Sequence, residues 1–187
     1  MSESYEPYLQ EVLIDADTLQ RRIRELGQQI SAEYADKNSI LLVCVLKGGV
    51  MFLTDLMRQI AVPHSIDFMA LSSYGDGVRE SFGRVRIDMD LRQDIGGKHI
   101  IVVEDIIDSG RTLNSVVELL STRNPKSLQV CTLLDKAERR EVDVPIRYRG
   151  FTIPNKFVFG YGLDMDEYYR NLPFIGVPDL SRYQAPE

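Results

Sequence analysis

An acidic, hydroxyl-rich segment follows a run of apolar residues near the middle of the sequence. Glu104 and Asp105 come at the end of that run, and the segment Asp108-Ser109-Gly110-Arg111-Thr112 follows after two further apolar residues. Two adjacent carboxylates at the end of a buried strand are costly unless they are solvated, paired or bound to a metal. The pattern favours a site in which backbone N–H groups at a helix start bind a phosphate, beside carboxylates for sugar hydroxyls or magnesium.

A purely structural interpretation of the same turn is also available. Asp and Ser are frequent helix N-caps, and glycine relaxes the backbone in a tight turn. On Asp108, Ser109 and Gly110 alone, capping is the more common explanation. The adjacent carboxylates of Glu104 and Asp105 favour a functional site, because a helix cap does not require them.

The elements around this turn alternate between apolar runs and helical patterns. The apolar runs predict buried strands at 40–46, 65–71, 99–104 and 127–134. Helical spacing recurs at 19–34, 50–60 and 113–120, with Asp15 or Asp17 as the cap of the first helix. This alternation predicts an α/β fold, with a mostly parallel twisted sheet of about five strands flanked by helices. A ligand is then expected at the carboxyl ends of the strands.

Two stretches do not fit the alternating pattern. Residues 72–85 are polar and glycine-rich, which indicates a long loop or a mobile β-ribbon. After Glu138 aromatic residues and prolines become dense, which predicts an irregular hood lobe instead of another strand–helix repeat. We therefore expect one domain over residues 1–187, with its core at roughly 36–140 and a small hood from roughly 1–15 and 145–187.

Composition narrows the classes of function. The 187 residues include 22 basic and 28 acidic side chains, and the net charge of −6 disfavours a general nucleic-acid or anionic-membrane binder. Cys44 and Cys131 lie inside apolar runs, which predicts buried free thiols in a reducing compartment and not a disulfide framework. No apolar stretch reaches the length of a membrane span, and the N-terminal residues lack a signal-peptide pattern. We expect a cytoplasmic protein.

The segment 102–113 resembles the phosphoribosyl-pyrophosphate signature of the type I phosphoribosyltransferase family. Further segments resemble motifs of the hypoxanthine-guanine branch of that family, and they occur in the family's order. These segments are Leu46-Lys47-Gly48-Gly49, Ser73-Tyr74-Gly75, Leu133-Leu134-Asp135-Lys136, and the stretches 153–158, 160–164 and 169–173.

The resemblance implies an enzyme of purine salvage with the type I phosphoribosyltransferase fold. Such an enzyme transfers the 5-phosphoribosyl group from phosphoribosyl pyrophosphate to N9 of hypoxanthine or guanine. The products are IMP or GMP and pyrophosphate, and the cofactor is Mg²⁺. The resemblance further implies a homodimer or homotetramer. From the acidic net charge and the lack of a membrane-spanning stretch we expect no nucleic-acid or membrane partner.

The resemblance also implies roles for residues on the sugar-phosphate side. The 5′-phosphate is expected on Asp108, Ser109, Gly110, Arg111 and Thr112, with the ribose hydroxyls on Glu104 and Asp105. Asp108 is expected to act as the general base toward purine N7. The pyrophosphate is expected on Leu46, Lys47, Gly48 and Arg170, with Arg140 as a further candidate.

On the purine side, Lys136 is expected to donate to the 6-oxo group, and Phe157 to stack on the base. The backbone of Val158 is expected to hydrogen-bond to the edge of the ring. Asp164 is the fourth residue expected to bind the purine. Asp164 is also expected to hold magnesium, and the other metal-ligand candidates are Glu104 and Asp105. Ser73 and Tyr74 are expected to close over the reaction centre as a flexible loop.

Bland interpretations remain open for several of these residues. Lys47-Gly48-Gly49 taken alone is typical of a simple strand-to-helix turn, and the sequence leaves open whether the Leu46–Lys47 peptide is cis. Lys136 stands in a charged run, which usually indicates an exposed lysine, and Phe157 taken alone is typical of a core residue. Ser73 and Tyr74 fit an inert surface hairpin equally well.

Three other functions compete with the salvage enzyme. One is a phosphoribosyltransferase that prefers xanthine or another base. A second is a non-catalytic nucleotide-binding regulator of RNA or DNA with the same fold, against which the retained Asp108 and the acidic charge both count. The third, a scaffold, leaves the carboxylate-rich turn without an explanation.

Overall fold

A six-stranded sheet forms the centre of the protein in a computed structural model that describes residues 5–73 and 85–183. The strands are β1 Leu9–Ile14, β2 Ile40–Leu46, β3 His64–Ser73, β4 Val85–Met89, β5 His99–Ile107, β6 Ser127–Asp135, β7 Tyr148–Thr152 and β8 Ile175–Pro178. The α-helices are α1 Ala16–Glu33, α2 Gly49–Gln59 and α3 Arg111–Ser121. Short 3₁₀ helices cover Glu6–Tyr8 and Ala137–Arg139.

The strand order of the central sheet is β4-β3-β2-β5-β6-β7. Five of these strands are mutually parallel, and β4 is added antiparallel to β3 at one edge. The predicted α/β fold with a mostly parallel sheet is confirmed. The sixth strand, β4, begins where the predicted loop or ribbon at 72–85 ends, and most of that stretch lies outside the described residues.

Helices cover both faces of the sheet because the side chains of the central strands alternate between two apolar clusters. Leu42 and Cys44 of β2 lie in the cluster that contains the buried residues of α1 and α2. Leu41 and Val43 lie in the cluster that contains the buried residues of α3. Asp15 caps α1 as predicted, since its carboxylate accepts the backbone N–H of Thr18 at 2.8 Å.

The segment after Glu138 contains a strand that the sequence pattern does not predict. Strand β7 pairs parallel with β6, with Cys131 opposite Tyr148 and Asp135 opposite Thr152. Gly150 allows the two backbones to approach, because a side chain there would collide with the backbone of Leu133. The prediction of an irregular lobe is therefore wrong for the residues of this strand.

A second sheet joins the two ends of the described chain. Strand β1 pairs antiparallel with β8, so that Ile14 lies opposite Ile175. A small apolar cluster formed by Phe159, Met165 and Leu172 lies in the same C-terminal part of the chain. The N-terminal and C-terminal segments are thus held together beside the central sheet.

Two expectations from composition can be compared with the structure. Cys44 and Cys131 are both buried free thiols, as predicted. Each helix within residues 5–73 and 85–183 is too short or too polar to cross a membrane.

The contact between α1 and α2 generates a stability prediction. A methyl group at Gly27 would meet the backbone and Cβ of Gln59, so the two helices pack at a distance that only glycine permits. We expect Gly27→Ala to lower the free energy of unfolding by about 1–3 kcal/mol through overpacking. Chemical denaturation measures this loss of stability, and the control is the same substitution type at the neighbouring exposed residue Gln28. Gln28→Ala should change stability by less than about 0.5 kcal/mol, and equal effects of the two variants would contradict the prediction.

Candidate active site

The candidate site lies at the carboxyl edge of the central sheet, where β2, β5 and β6 end side by side. Their parallel register brings Lys47, the segment from Glu104 to Thr112, and Lys136 to this edge. A cleft of about 170 Å³ opens at the end of β5, and Glu104, Asp108, Ser109 and Thr112 are among the residues that line it. Three separate sequence motifs therefore meet at one place.

The turn between β5 and α3 has the geometry of an anion site. Gly110 caps α3 with φ = 85°, and a side chain there would meet the carbonyl oxygen of Val142 at 2.5 Å. The first turn of α3 leaves backbone N–H groups without helical acceptors, and the helix dipole favours an anion at that end. The Arg111 guanidinium lies at the surface, where its Nε donates to Glu141 at 2.7 Å.

Glu104 and Asp105 form a carboxylate pair at the end of β5. Burial raises the pKa of Glu104, and the neighbouring Asp105 carboxylate raises it further. Burial likewise raises the pKa of Asp105, although the backbone N–H of Ile106 donates to its Oδ1 at 2.7 Å. A pair of this kind retains a proton unless a cation or hydroxyl donors stabilise the ionised form. Its oxygen donors suit Mg²⁺ or ribose hydroxyls.

Asp108 contacts two cationic side chains. Lys136 Nζ lies 3.6 Å from Asp108 Oδ2, and Arg139 Nε lies 3.0 Å from Asp108 Oδ1. Oδ1 is nevertheless buried and accepts no hydrogen bond from the described residues. Lys136 is only 7% exposed, which rules out the exposed-lysine interpretation. A carboxylate and an ammonium group thus face each other beside the phosphate turn.

A buried aspartate that sequence reasoning did not single out stabilises this corner of the site. Asp135 is 1% exposed and forms ion pairs with Arg140 and with Arg149, the latter at 2.9 Å. A methyl group on Gly110 would approach the Arg140 side chain to 3.0 Å, so Arg140 packs under the phosphate turn. An aspartate at the end of an apolar strand was the available signal, as it was for Glu104 and Asp105.

The turn after β2 contacts both the carboxylate pair and the C-terminal segment. The Leu46–Lys47 peptide bond is cis. Gly48 lies against the Asp105 carboxylate, with which any side chain at this position would collide. Gly162, with φ = 98°, lies in the same way against the carbonyl oxygen of Gly48. The turn is therefore more than a generic link between a strand and a helix.

An ion-pair network joins this turn to the C-terminal segment. Arg170 lies 2.9 Å from Asp164 Oδ1 and donates to the carbonyl oxygen of Gly162 at 2.9 Å. Glu167 bridges Arg170 at 3.1 Å and Lys47 at 2.8 Å, and both cations lower the pKa of its carboxyl. Glu167 was missed by sequence reasoning, since no motif marks it.

The remaining predicted site residues are distributed as follows. Phe157 is 49% exposed, which argues against a core role, whereas Val158 is buried. Ser73 ends β3, and Tyr74 lies outside the described residues. Within the described ranges, no three His, Cys, Asp or Glu side chains converge on one metal position. Glu104 and Asp105 therefore do not form one metal cluster with Asp164. The Glu104–Asp105 pair and Asp164 each offer the one or two carboxylates that Mg²⁺ binds when substrate phosphates supply its other ligands.

Phosphate-binding geometry and carboxylates at the carboxyl edge of a parallel sheet define the class as one that binds phosphorylated sugars or nucleotides. The family model described as the phosphoribosyl transferase domain matches residues 13–166. The chain is 52% identical over 167 residues to a hypoxanthine phosphoribosyltransferase of Salmonella typhimurium, covering 89% of this chain and 93% of that protein. It is 49% identical to a hypoxanthine-guanine phosphoribosyltransferase of Mycobacterium avium, covering 98% and 92%.

Solved structures agree with the sequence relatives. The crystal structure of a hypoxanthine phosphoribosyltransferase from Staphylococcus aureus matches with a TM-score of 0.91 and 42% identity, covering 99% of this chain and 100% of that one. The chain belongs to the phosphoribosyl transferase family.

The raised pKa of Glu104 predicts a pH-dependent stability. Because folding favours its protonated form, the free energy of unfolding falls as pH rises from the unfolded pKa through the raised folded pKa. Glu104→Gln removes that loss, so we expect the variant to be more stable than the original chain at pH 7–8. The two should converge near pH 4, where both states carry the proton.

Thermal unfolding followed from pH 4 to pH 8 checks this expectation. The control is Glu138→Gln, which removes an exposed carboxylate and should parallel the original chain at each pH. A Glu104→Gln variant less stable than the original chain at pH 8 would contradict the prediction.

Proposed function

We propose that this protein is a hypoxanthine phosphoribosyltransferase. It transfers the 5-phosphoribosyl group from phosphoribosyl pyrophosphate to N9 of hypoxanthine, and of guanine, giving IMP or GMP and pyrophosphate. The observation that carries the proposal is the position of Asp108, at the phosphate turn and 3.6 Å from the buried Lys136 ammonium. The relatives at about half identity support the same reaction.

The phosphate turn binds the sugar end of the donor in this proposal. Backbone N–H groups from Ser109 to Thr112 hold the 5′-phosphate, and the hydroxyl groups of Ser109 and Thr112 donate to it as well. Glu104 and Asp105 accept the hydroxyl groups of the ribose. The bond between the anomeric carbon and pyrophosphate breaks as the bond to N9 forms, so fixing the sugar at its phosphate and hydroxyls aligns the carbon for attack.

Asp108 and Lys136 act on the purine. Asp108 accepts the proton that the purine releases at N7 and returns it in the reverse reaction. Lys136 donates a hydrogen bond to the 6-oxo group, while the 6-amino group of adenine would present hydrogens to that ammonium. An ammonium has three donors, so Lys136 can contact Asp108 and the base together. Phe157 stacks on the ring, and the backbone of Val158 reads its edge.

The turn after β2 and the C-terminal segment receive the leaving group. The backbone from Leu46 to Gly48 and the cations of Lys47 and Arg170 bind pyrophosphate, and Arg140 stays with Asp135 under the phosphate turn. Bound Mg²⁺ supplies charge neutralisation for pyrophosphate, and Asp164 and the Glu104–Asp105 pair offer the carboxylates that hold it. Ser73 and Tyr74 close over the site and exclude water.

Several wider features belong to the same proposal. The core spans roughly residues 36–140 together with β7, and the hood combines roughly 1–15 with the rest of 145–187. The protein assembles as a homodimer or homotetramer and works in the cytoplasm. The buried free thiols of Cys44 and Cys131 support a reducing compartment.

A substrate panel with Asp108→Asn tests the reaction. With phosphoribosyl pyrophosphate and Mg²⁺, we expect nucleotide formation from hypoxanthine and guanine but not from adenine or uracil, and loss of activity when EDTA removes the metal. Asp108→Asn should lower kcat about 10²–10⁴-fold through loss of the general base. Because the Asp108 side chain is 41% exposed, the melting temperature of the variant should equal that of the original chain.

The control for this experiment is Asp17→Asn, the same substitution at an exposed site on α1, which should leave kcat unchanged. Faster turnover of xanthine than of hypoxanthine would favour the xanthine enzyme. A folded protein that turns over none of the bases would overturn the enzyme proposal and favour the nucleotide-binding regulator.

Lys136→Gln tests the assignment of base recognition separately. Loss of a buried charge-assisted hydrogen bond to the 6-oxo group should raise KM for hypoxanthine about tenfold or more. KM for phosphoribosyl pyrophosphate should change much less, because the proposed sugar-phosphate contacts remain. Steady-state kinetics in each substrate separate the two constants, and an equal rise in both would refute the assignment.

A further inference from the structure

A second cavity lies at the amino-terminal edge of the central sheet, opposite the candidate active site. Its volume is about 450 Å³, compared with about 170 Å³ for the cleft at the phosphate turn. Its walls are residues that precede or begin β2, β3, β5 and β6. Since β2 crosses the sheet in seven residues, about 20 Å separates the two edges, and the sites share no side chain.

Three lysines reach this cavity from three separate loops, and we refer to it as the lysine cavity. Lys37 precedes β2, Lys98 precedes β5 and Lys126 precedes β6. Lys37 pairs with Asp36 at 2.8 Å, and Lys98 donates to the neutral amide of Gln93 at 3.3 Å. No described carboxylate forms an ion pair with Lys126. The wall therefore carries excess positive charge in a protein whose net charge is −6.

The neutral lining adds polar groups and an apolar floor. Asn38, Ser39 and Ser65 contribute amide and hydroxyl donors, and Ile40 and Leu41 form part of the apolar surface. The volume falls within the range of about 300–1,000 Å³ that is usual for small-molecule sites. Ammonium, amide and hydroxyl donors around such a concavity are the groups that recognise phosphate oxygens.

The pKa of His99 responds to the charges that line the lysine cavity. Its ring packs edge-on against Tyr34, with 5.6 Å between the ring centroids, and its Nδ1 lies 2.7 Å from the Ser127 hydroxyl. Burial lowers the pKa of His99, and the charges of Lys126 and Lys37 lower it further. Asp36 opposes this effect only in part.

We propose that the lysine cavity binds a small phosphorylated anion that carries two or more phosphate groups, held by Lys37, Lys98 and Lys126. Three ammonium groups on separate loops match several phosphates better than one. Lys126, which has no carboxylate partner among the described residues, makes the decisive contact. The site is additional to the catalytic reaction and does not depend on the proposed function.

Titration with inorganic tripolyphosphate tests the proposal, with NMR of the histidine rings and calorimetry as readouts. The chain has two histidines, so the signals are few. A bound anion would neutralise Lys126 and Lys37, so we expect the pKa of His99 to rise toward its ordinary value. His64 is the internal reference, because it does not line the cavity and its Nδ1 lies 2.8 Å from the carbonyl oxygen of Val62 instead.

Two matched variants locate the binding. Lys126 is exposed, so Lys126→Gln should fold normally, bind the probe about tenfold more weakly and move the His99 response to about tenfold higher probe concentration. Arg24→Gln removes a charge of the same sign from the exposed face of α1, about 15 Å along the helix from Tyr34, and should bind as the original chain does.

Each other outcome overturns the proposal. Tripolyphosphate that binds by calorimetry but leaves His99 unmoved occupies the phosphate or pyrophosphate subsites, because salt screens charges across about 20 Å. Equal affinities of Lys126→Gln and Arg24→Gln would show that the lysines of the cavity do not hold the anion.

Discussion

Parallel strands deliver carboxylates to the same edge of the sheet, and the charge that accumulates there must be balanced. Asp108 begins the loop after β5, and Asp135 ends the neighbouring β6. Asp135 is buried, and a buried, unpaired carboxylate costs several kcal/mol, so it requires cations nearby. Asp108 is partly exposed and pairs with cations as well. The cations that form ion pairs with these two aspartates are Lys136, Arg139, Arg140 and Arg149. Three of the four come from the segment that immediately follows β6, which fixes the path of that segment around the phosphate turn.

Glu104 and Asp105 are the exception to this balance. No ion pair with a described cation compensates them, and burial raises the pKa of each. The charge of Arg170 lowers the pKa of Asp105 slightly, which links the carboxylate pair electrostatically to the C-terminal segment. Stability alone would favour neutral residues at these two positions. The chain instead keeps oxygen donors that a sugar or a magnesium ion can use, as expected where function outweighs stability.

Much of the architecture could be predicted because its signals are local. The buried strands are continuous apolar runs, the Asp15 cap stands directly before a periodic helix, and the phosphate turn is contiguous in sequence. Strand β7 escaped prediction because Tyr148–Thr152 lacks apolar alternation and lies at an edge of the sheet. Its pairing depends on close backbone contact at Gly150, and such a contact leaves no pattern of apolar side chains in the sequence.

Parts of the site could not be predicted because they depend on contacts between distant segments. Glu167 meets Lys47 across 120 residues of sequence, and its backbone has φ = 70° although it is not glycine. Neither property leaves a pattern in the neighbouring residues. Asp135 is different, since the end of an apolar strand marks it as clearly as it marks Glu104, and the same cost argument applies to it.

Backbone contacts hold the assembled site, and they leave its side chains free to exchange partners. Gly48 touches the Asp105 carboxylate, and Gly162 touches the Gly48 carbonyl, so these contacts between three segments do not use the Lys47 ammonium. In the described residues, Lys47 pairs with the exposed Glu167 carboxylate. Arg170 pairs with both Glu167 and Asp164 and donates to the carbonyl oxygen of Gly162. Under the proposed reaction, pyrophosphate offers the Lys47 ammonium several anionic oxygens in place of the one exposed carboxylate of Glu167. The surface ion pair between Lys47 and Glu167 contributes about 0–1 kcal/mol, so its exchange requires little free energy and does not disturb the backbone that positions Asp108.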